Sequence, residues 1–488
     1  MVRGEPTGPP RRGGVLRVGT AGGGAGDSLD VHNPVTKPDI SRGLNLYEPL
    51  LYRTRDYSLE PAVAESVEPE KGGLAWVVRL RDGILFHDGS PVRPEDIIAT
   101  YRRVTDPKKP MAAANLLSSL DRDGFQVIDK RTLRIRLTQP DVTFGDVVAD
   151  YRIGIVPEGY DPKKPIGTGP FKFSSFEPGV ESVFARFGDY WRDGQPYVDE
   201  LRIINFTDDT ARTNALLAGQ VEAIESLPYA EVRVIEADPT MRVLKSKSGN
   251  WNPFTMRVDV EPFSDPRVRE AIRLCADREE MVNQVLSGYG RVANDMYSPY
   301  DDCFAKDLPQ REYDPDKARS LLKAAGHENL NVELVTSPVA QGIVEAAQVL
   351  QQQARKAGVN MSLKRVDTGV FYGDDYLKWD FAQDFWGTWP YLVQSALGSQ
   401  PKSPFNECHW ADPKYLDLVN TAKKTLVDDK RCRLLHDAQE IEYERGGYIV
   451  WGFLDLVDAY SRKIAGFKST NTTGFPLDAY RFRDVWFV

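Results

Sequence analysis

Phe86-His87-Asp88-Gly89-Ser90-Pro91-Val92 is a glycine turn that closes a strand over 76–80 and leads into a helix. Pro94-Glu95-Asp96 puts a proline and two acids in that helix's first turn, where N–H groups lack partners and the dipole favours negative charge. A second turn, Pro165-Ile166-Gly167-Thr168-Gly169-Pro170-Phe171, feeds another strand. Working outward, 15–19 reads as a short apolar strand ending in glycines. Residues 132–137 alternate Leu133, Ile135 and Leu137 on one face, as a half-buried strand does. Residues 211–218 and 267–286 have helical periodicity, and Pro315 opens a helix that Gly326 ends. The strand–helix–strand order over 330–335, 344–356 and 361–366 predicts a parallel α/β unit.

Other segments carry a family pattern. They are Leu46-Tyr47-Glu48-Pro49-Leu50-Leu51, Asp189-Tyr190-Trp191 with Pro196-Tyr197, and Ala215-Leu216-Leu217-Ala218-Gly219-Gln220-Val221-Glu222. Further along stand Pro262-Phe263-Ser264-Asp265-Pro266-Arg267-Val268-Arg269-Glu270-Ala271-Ile272 with Ala276-Asp277-Arg278, and Tyr313-Asp314-Pro315. Together with the two turns, and in this order, they resemble bacterial extracellular solute-binding proteins of family 5, the dipeptide, oligopeptide and nickel receptors of ABC importers. Pro49 departs from the glycine usual there.

The resemblance implies an α/β, periplasmic-binding-protein-like two-lobed fold (type II, cluster C) with an extra inserted domain. Mapped by the motifs, lobe I is 14–43, 167–248 and 465–488, the insert is 44–166, lobe II is 249–464, and 1–13 is a flexible tether. It also implies solute capture in a cleft between lobes that close on it. The expected partners are a peptide-like, oligosaccharide or neutral solute and the permease subunits of an importer. The expected state is a monomer outside the cytoplasm.

Composition agrees with a soluble globular protein: 41% of the 488 residues are hydrophobic and 27% charged. A net charge of −9 argues against nucleic acid as partner. No apolar run reaches the length of a membrane span. Residues 1–13 hold no apolar signal-peptide core, and the reading favoured is a mature form without its leader, suited to a lipoprotein stalk. The cysteine that such an anchor needs is not in this segment. Of the four cysteines, Cys275 reads as buried on a helix and Cys432 as helical. Cys303 and Cys408, both in loop-like contexts, are one guess at a pair in an oxidising compartment.

No cofactor, metal site or catalytic residue is expected. Gly19–Gly26 lacks the helix that a dinucleotide loop opens. His87 is read as a turn residue bonding local backbone rather than as a base, and His436 with Glu440 makes a poor metal site. The spacing contains no zinc-protease, nucleophile-elbow or phosphate-loop motif.

Two aromatic clusters fall where the family lines its cleft, Gly249-Asn250-Trp251-Asn252-Pro253-Phe254 and the run from Trp379 to Tyr391. The ligand contacts expected are Trp251, Asn252, Phe254, Asp384, Trp386, Thr388, Trp389 and Tyr391, with Gly22 and Gly23 at the cleft edge. The competing reading buries Phe381, Phe385 and Trp386 in a core. Peptide receptors of the family carry an aspartate after the Trp-x-x of this segment, to capture the ligand's ammonium. Trp389 stands there instead, and Asp384 is five positions earlier. This points towards a neutral, sugar-like or modified-peptide ligand. A cleft enzyme using Asp384 or Glu225, resembling glycoside hydrolysis, is the alternative from another class. A ligand sensor or carrier without a transporter is the third.

Overall fold

His87 joins the two glycine turns. In the computed structural model, which describes residues 9–470 and 472–488, its main-chain N–H donates to Gly167 O at 2.9 Å. Its Nδ1 accepts from Gly167 N at 3.2 Å and its Nε2 lies 2.9 Å from Gly169 O. Burial lowers the ring's pKa to about 4, so the imidazole is neutral at pH 7 and Nε2 donates. The backbone that His87 binds thus belongs to the second turn, not to its own. Both glycines there are obligatory: a Cβ on Gly167 would stand 2.0 Å from Leu46 O, and one on Gly169 would stand 2.5 Å from Asn45 O.

The chain forms two units. One comprises the residues up to Ser246 together with Leu456–Val488, and the other is Lys247–Asp455. The main sheet of the first unit has the strand order Met241–Asn250, Gly452–Ser461, Ala223–Ile224, Val15–Ala21, Glu200–Phe206, Glu181–Arg186 and Phe171–Glu177, and the chain passes from one unit to the other within the first two of these strands. Val15–Ala21 runs parallel to Glu200–Phe206, pairing Val15 with Glu200 and Ala21 with Phe206, and parallel to Ala223–Ile224. Leu16, Val18, Leu201, Ile203 and Phe184 bury beneath it. A separate four-stranded antiparallel sheet, Ala64–Glu70, Ala75–Leu80, Thr132–Leu137 and Leu120–Asp129, lies within the same unit. Leu133, Ile135 and Leu137 face its core, as their alternation predicts.

The second unit holds a five-stranded sheet in the order Val359–Arg365, Leu330–Thr336, Phe381–Gln383, Phe254–Met256 and Tyr448–Ile449. Leu330–Thr336 and Val359–Arg365 pair in parallel around the helix Ile343–Ala354. The helical pattern over 267–286 is two helices, Pro266–Leu274 and Arg278–Val285. Asp277 interrupts it by capping the second, accepting from Glu280 N at 3.0 Å. Pro315–Ala324 is helical with Pro315 in its first turn, and Gly326 takes a φ of +85° beyond its end.

The disulfide is Cys303–Cys432, with Cα atoms 4.7 Å apart, and so differs from the Cys303–Cys408 guess. Cys432 lies on the helix Asp428–Arg445, two turns before Gln439. Gln439 accepts from Ala305 N at 2.9 Å and donates to Cys303 O at 2.8 Å, so this helix face carries the Cys303 loop. Cys408 is fully buried against Gly447, and Cys275 is buried too. Residues 1–8 of the expected tether lie outside the described residues, and Gly13 donates its N–H to Tyr197 O at 2.9 Å. Among the described residues, no helix is long and apolar enough to cross a membrane.

Candidate functional site

The two aromatic segments of the second unit meet. Trp251 N–H donates to Trp386 O at 3.1 Å and Trp386 N–H to Trp251 O at 2.8 Å, a two-bond bridge that sets their rings side by side. The rings form a column. Trp386 and Trp251 stack at 6.0 Å, Trp251 and Tyr297 at 5.2 Å, and Tyr297 and Tyr391 at 5.3 Å, all within 19° of parallel. Glu442 anchors its far end, accepting from Tyr297 OH at 2.9 Å, Tyr391 OH at 2.8 Å and Ser399 Oγ at 2.7 Å. Burial raises the Glu442 carboxyl above its ordinary range.

Thr388 ties the segments together as well. Its Oγ1 accepts from Gly249 N at 2.9 Å and donates to Asn250 Oδ1 at 2.9 Å. Asn252 donates from Nδ2 to Gln341 O, and its carbonyl accepts from the Trp451 indole at 2.7 Å. Phe254 sits in the core strand against Phe381. Trp251, Asn252, Phe254, Asp384, Trp386, Thr388 and Tyr391 are therefore all buried. They make the wall behind a surface. Trp389 is half-buried, and beside it Phe385 is 48% exposed. Phe405, 39% exposed, meets Trp386 edge-on at 5.9 Å.

Asp384 is sequestered at the root of this surface. It accepts from Tyr372 OH at 2.7 Å, Tyr376 OH at 3.0 Å and Phe385 N at 2.8 Å. Glu407 bonds it from the other side, and itself accepts from Tyr448 OH at 2.9 Å and Trp386 Nε1 at 3.4 Å. Burial pushes both carboxyls up, Glu407 further because Asp384 adds a like charge. Sequence reasoning missed Glu407, Phe405 and Tyr372. Only the Asn-Glu-Cys-His loop, already noted for its cysteine, pointed towards the first.

In the first unit, Gly22 and Gly23 lie at the end of Val15–Ala21 with φ of +85° and +91°. A Cβ on Gly23 would stand 2.2 Å from the Asn205 amide, so only glycine fits. Beside them Glu225 is buried, accepting from Ala21 N at 2.7 Å and from Tyr480 OH. Neither Asp384 nor Glu225 has a free carboxylate edge. Among the described residues no group of three or more His, Cys, Asp or Glu side chains is placed to hold a metal.

Comparison with known proteins agrees with this architecture. The glutathione-binding protein GsiB of Escherichia coli (strain K12) is 26% identical over 455 residues, covering 89% of this chain and 88% of that protein. Among solved structures, the binding protein AgaA of A. tumefaciens R10 in complex with agropinic acid superposes with a TM-score of 0.84 at 23% identity, over 97% of this chain and 99% of that one. The periplasmic binding protein DppA of Helicobacter pylori in complex with peptide STSA gives 0.83 at 23%, over 98% of each chain. These structures establish the fold. The model for the middle region of the bacterial extracellular solute-binding proteins, family 5, matches residues 58–403, and the chain belongs to that family: it is a solute-binding protein of the ABC-importer class.

Proposed function

We propose that this protein captures its solute outside the cytoplasm, hands it to a permease unchanged, and meets it on the second unit at Trp389 and Phe385. The carrying observation is the division of the aromatic segment. Its buried rings form a braced column, whereas Trp389 and Phe385 remain accessible beside it. Rigid rings of this kind give a large contact area at small entropic cost. Gly22 and Gly23 are the proposed contacts on the first unit: the space where a Cβ would stand on Gly22 is open and leaves room for close approach, whereas at Gly23 Asn205 and Asp27 fill it and only the backbone is offered. Trp251, Asn252, Phe254, Asp384, Trp386, Thr388 and Tyr391 act from behind, by shaping the surface.

The proposed solute carries no free ammonium at this point. Trp389 occupies the place of the peptide receptors' aspartate, and Asp384, the acid closest in sequence, is fully engaged. The similar structure in complex with agropinic acid fits a solute outside the simple peptides. An extracytoplasmic site is supported by the family and by the Cys303–Cys432 disulfide. A monomeric state, a lipid anchor and a separate inserted domain over 44–166 belong to the same proposal.

Titration calorimetry against glutathione, opines, oligosaccharides and dipeptides tests it. We expect saturable binding of a member without a free α-ammonium, weakened at least tenfold in Trp389→Ala. Tight binding of simple dipeptides, unaffected by Trp389→Ala, would overturn the assignment.

A further inference from the structure

We infer that Glu407 is a positioning residue: it carries the single proton of a buried Asp384–Glu407 carboxyl pair, and so makes the solute-facing edge at Phe385 and Trp386 depend on pH. The inference rests on the capture surface proposed above.

The geometry is that of a shared proton. Asp384 is 4% exposed and Glu407 6% exposed, and the two carboxyls are bonded to each other. Two carboxylates in contact without water cannot both ionise cheaply, so one keeps its proton. The donors decide which. Asp384 receives Tyr372 OH, Tyr376 OH and Phe385 N, three bonds that favour a carboxylate. Glu407 receives Tyr448 OH and the longer Trp386 Nε1 contact on a single oxygen, Oε2. Its other oxygen is left to donate the proton to Asp384.

Among the described residues, the groups that act most strongly on the pair include no cation. Those acting on the pair are Tyr372 and Tyr376 from the 368–376 segment, Tyr448 from its strand, and Trp386 and Phe385 N from the aromatic run. Cys408, next to Glu407, is a buried thiol, and behind it Arg273 and Glu442 act on that thiol. The Arg273 guanidinium is committed to the carbonyls of Tyr448, Glu444 and Gly446. The cavity beside the pair, lined also by Thr255, Trp379 and Gln383, has a volume of about 10 Å³. That is below the roughly 300 Å³ at which small-molecule pockets begin, so the pair stands apart from the solute itself.

The pair nonetheless reaches the surface. Glu407 holds the Trp386 indole, and Asp384 holds the backbone of Phe385 and the hydroxyl of Tyr372, whose side chains are 48% and 38% exposed. Loss of the proton would set two buried negative charges against each other and loosen all three anchors.

The test uses the ligand-free full chain between pH 5 and 9. Infrared difference spectra of wild type minus Glu407→Gln should contain a protonated-carboxyl C=O band at pH 7. Tryptophan emission and acrylamide quenching should change at the pH where that band disappears. Glu407→Gln, which keeps a donor towards Asp384, should hold emission at the wild-type low-pH value throughout. Asp384→Asn removes the like charge and should move the transition down by at least one pH unit, which provides a reading if the glutamine variant does not fold. A missing band at pH 7, a Glu407→Gln profile that tracks wild type, or an unmoved Asp384→Asn transition would each overturn the inference. None of these readouts needs a solute, so they stand or fall separately from the capture assignment.

Discussion

Trp251 has both faces covered, by Trp386 and Tyr297, while Tyr448 meets it edge-on. Truncating it leaves a cavity in a braced column, and Trp251→Ala should cost about 3–5 kcal/mol of stability, read by urea denaturation. Trp389→Ala, at a half-buried ring outside the column, should lower the urea midpoint by much less. Asp458 in the first unit gives a pH prediction. It accepts from Ser226 N at 2.9 Å and Leu477 N at 2.6 Å, yet burial and nearby Glu225 raise its pKa to about 7. The folded chain therefore holds a proton that the unfolded chain releases near pH 4. Folded protein binds more protons between those values, so Asp458 lowers stability as pH rises from about 4 to 7, and the fall levels off above. Asp458→Asn should abolish that part of the slope, measured as denaturation midpoint against pH.

Leu477, Asp478, Ala479 and Tyr480 form a left-handed turn, with φ between +47° and +60° at residues that disfavour it. Tertiary bonds impose it: Asp458 holds Leu477 N, Arg55 holds the Asp478 carboxylate, and Asn45 holds Tyr480 O at 3.1 Å. Ala479→Gly should relieve strain and raise stability by about 1 kcal/mol, read from the thermal midpoint. The disulfide acts at the same scale in the second unit, clamping the Cys303 loop to the helix Asp428–Arg445. Cys303→Ser with Cys432→Ser should cost about 2–4 kcal/mol. Elements whose signals are local were legible: the proline-initiated helices at 94 and 315 and the alternating strand 132–137. The left-handed turn was not, because none of its residues prefers that conformation. Nor was the break at 275–277, because the apolar period continues through it and only the Asp277 cap reveals it. The cysteine partner depended on which helix face met the loop, which spacing along the chain does not encode.

Across the whole molecule, the motifs that made the family legible are scaffold. Glu48 of the Leu-Tyr-Glu segment accepts from Tyr190 OH at 2.7 Å and Trp191 Nε1 at 2.9 Å of the Asp-Tyr-Trp segment. Arg269 and Arg273 bind the carbonyls of 445–448, and Arg278 pairs with Asp295 at 2.6 Å beside Arg311. Such residues are set by packing and hydrogen bonding, so they identify the fold and leave the ligand open. The proposed solute contacts are the few positions with accessible side chains, where sequence pattern is weakest. Trp389 was readable as a departure from the peptide-receptor motif. Phe385 and Phe405 needed the structure to separate them from the buried rings around them. The central claim is that this chain binds a solute and leaves it chemically intact. Native mass spectrometry of protein purified without denaturation tests this most directly. The account predicts a discrete added mass, released intact on denaturation and absent or much reduced in Trp389→Ala. A released compound that is a reaction product of the solute supplied, or equal retention in wild type and Trp389→Ala, would contradict it.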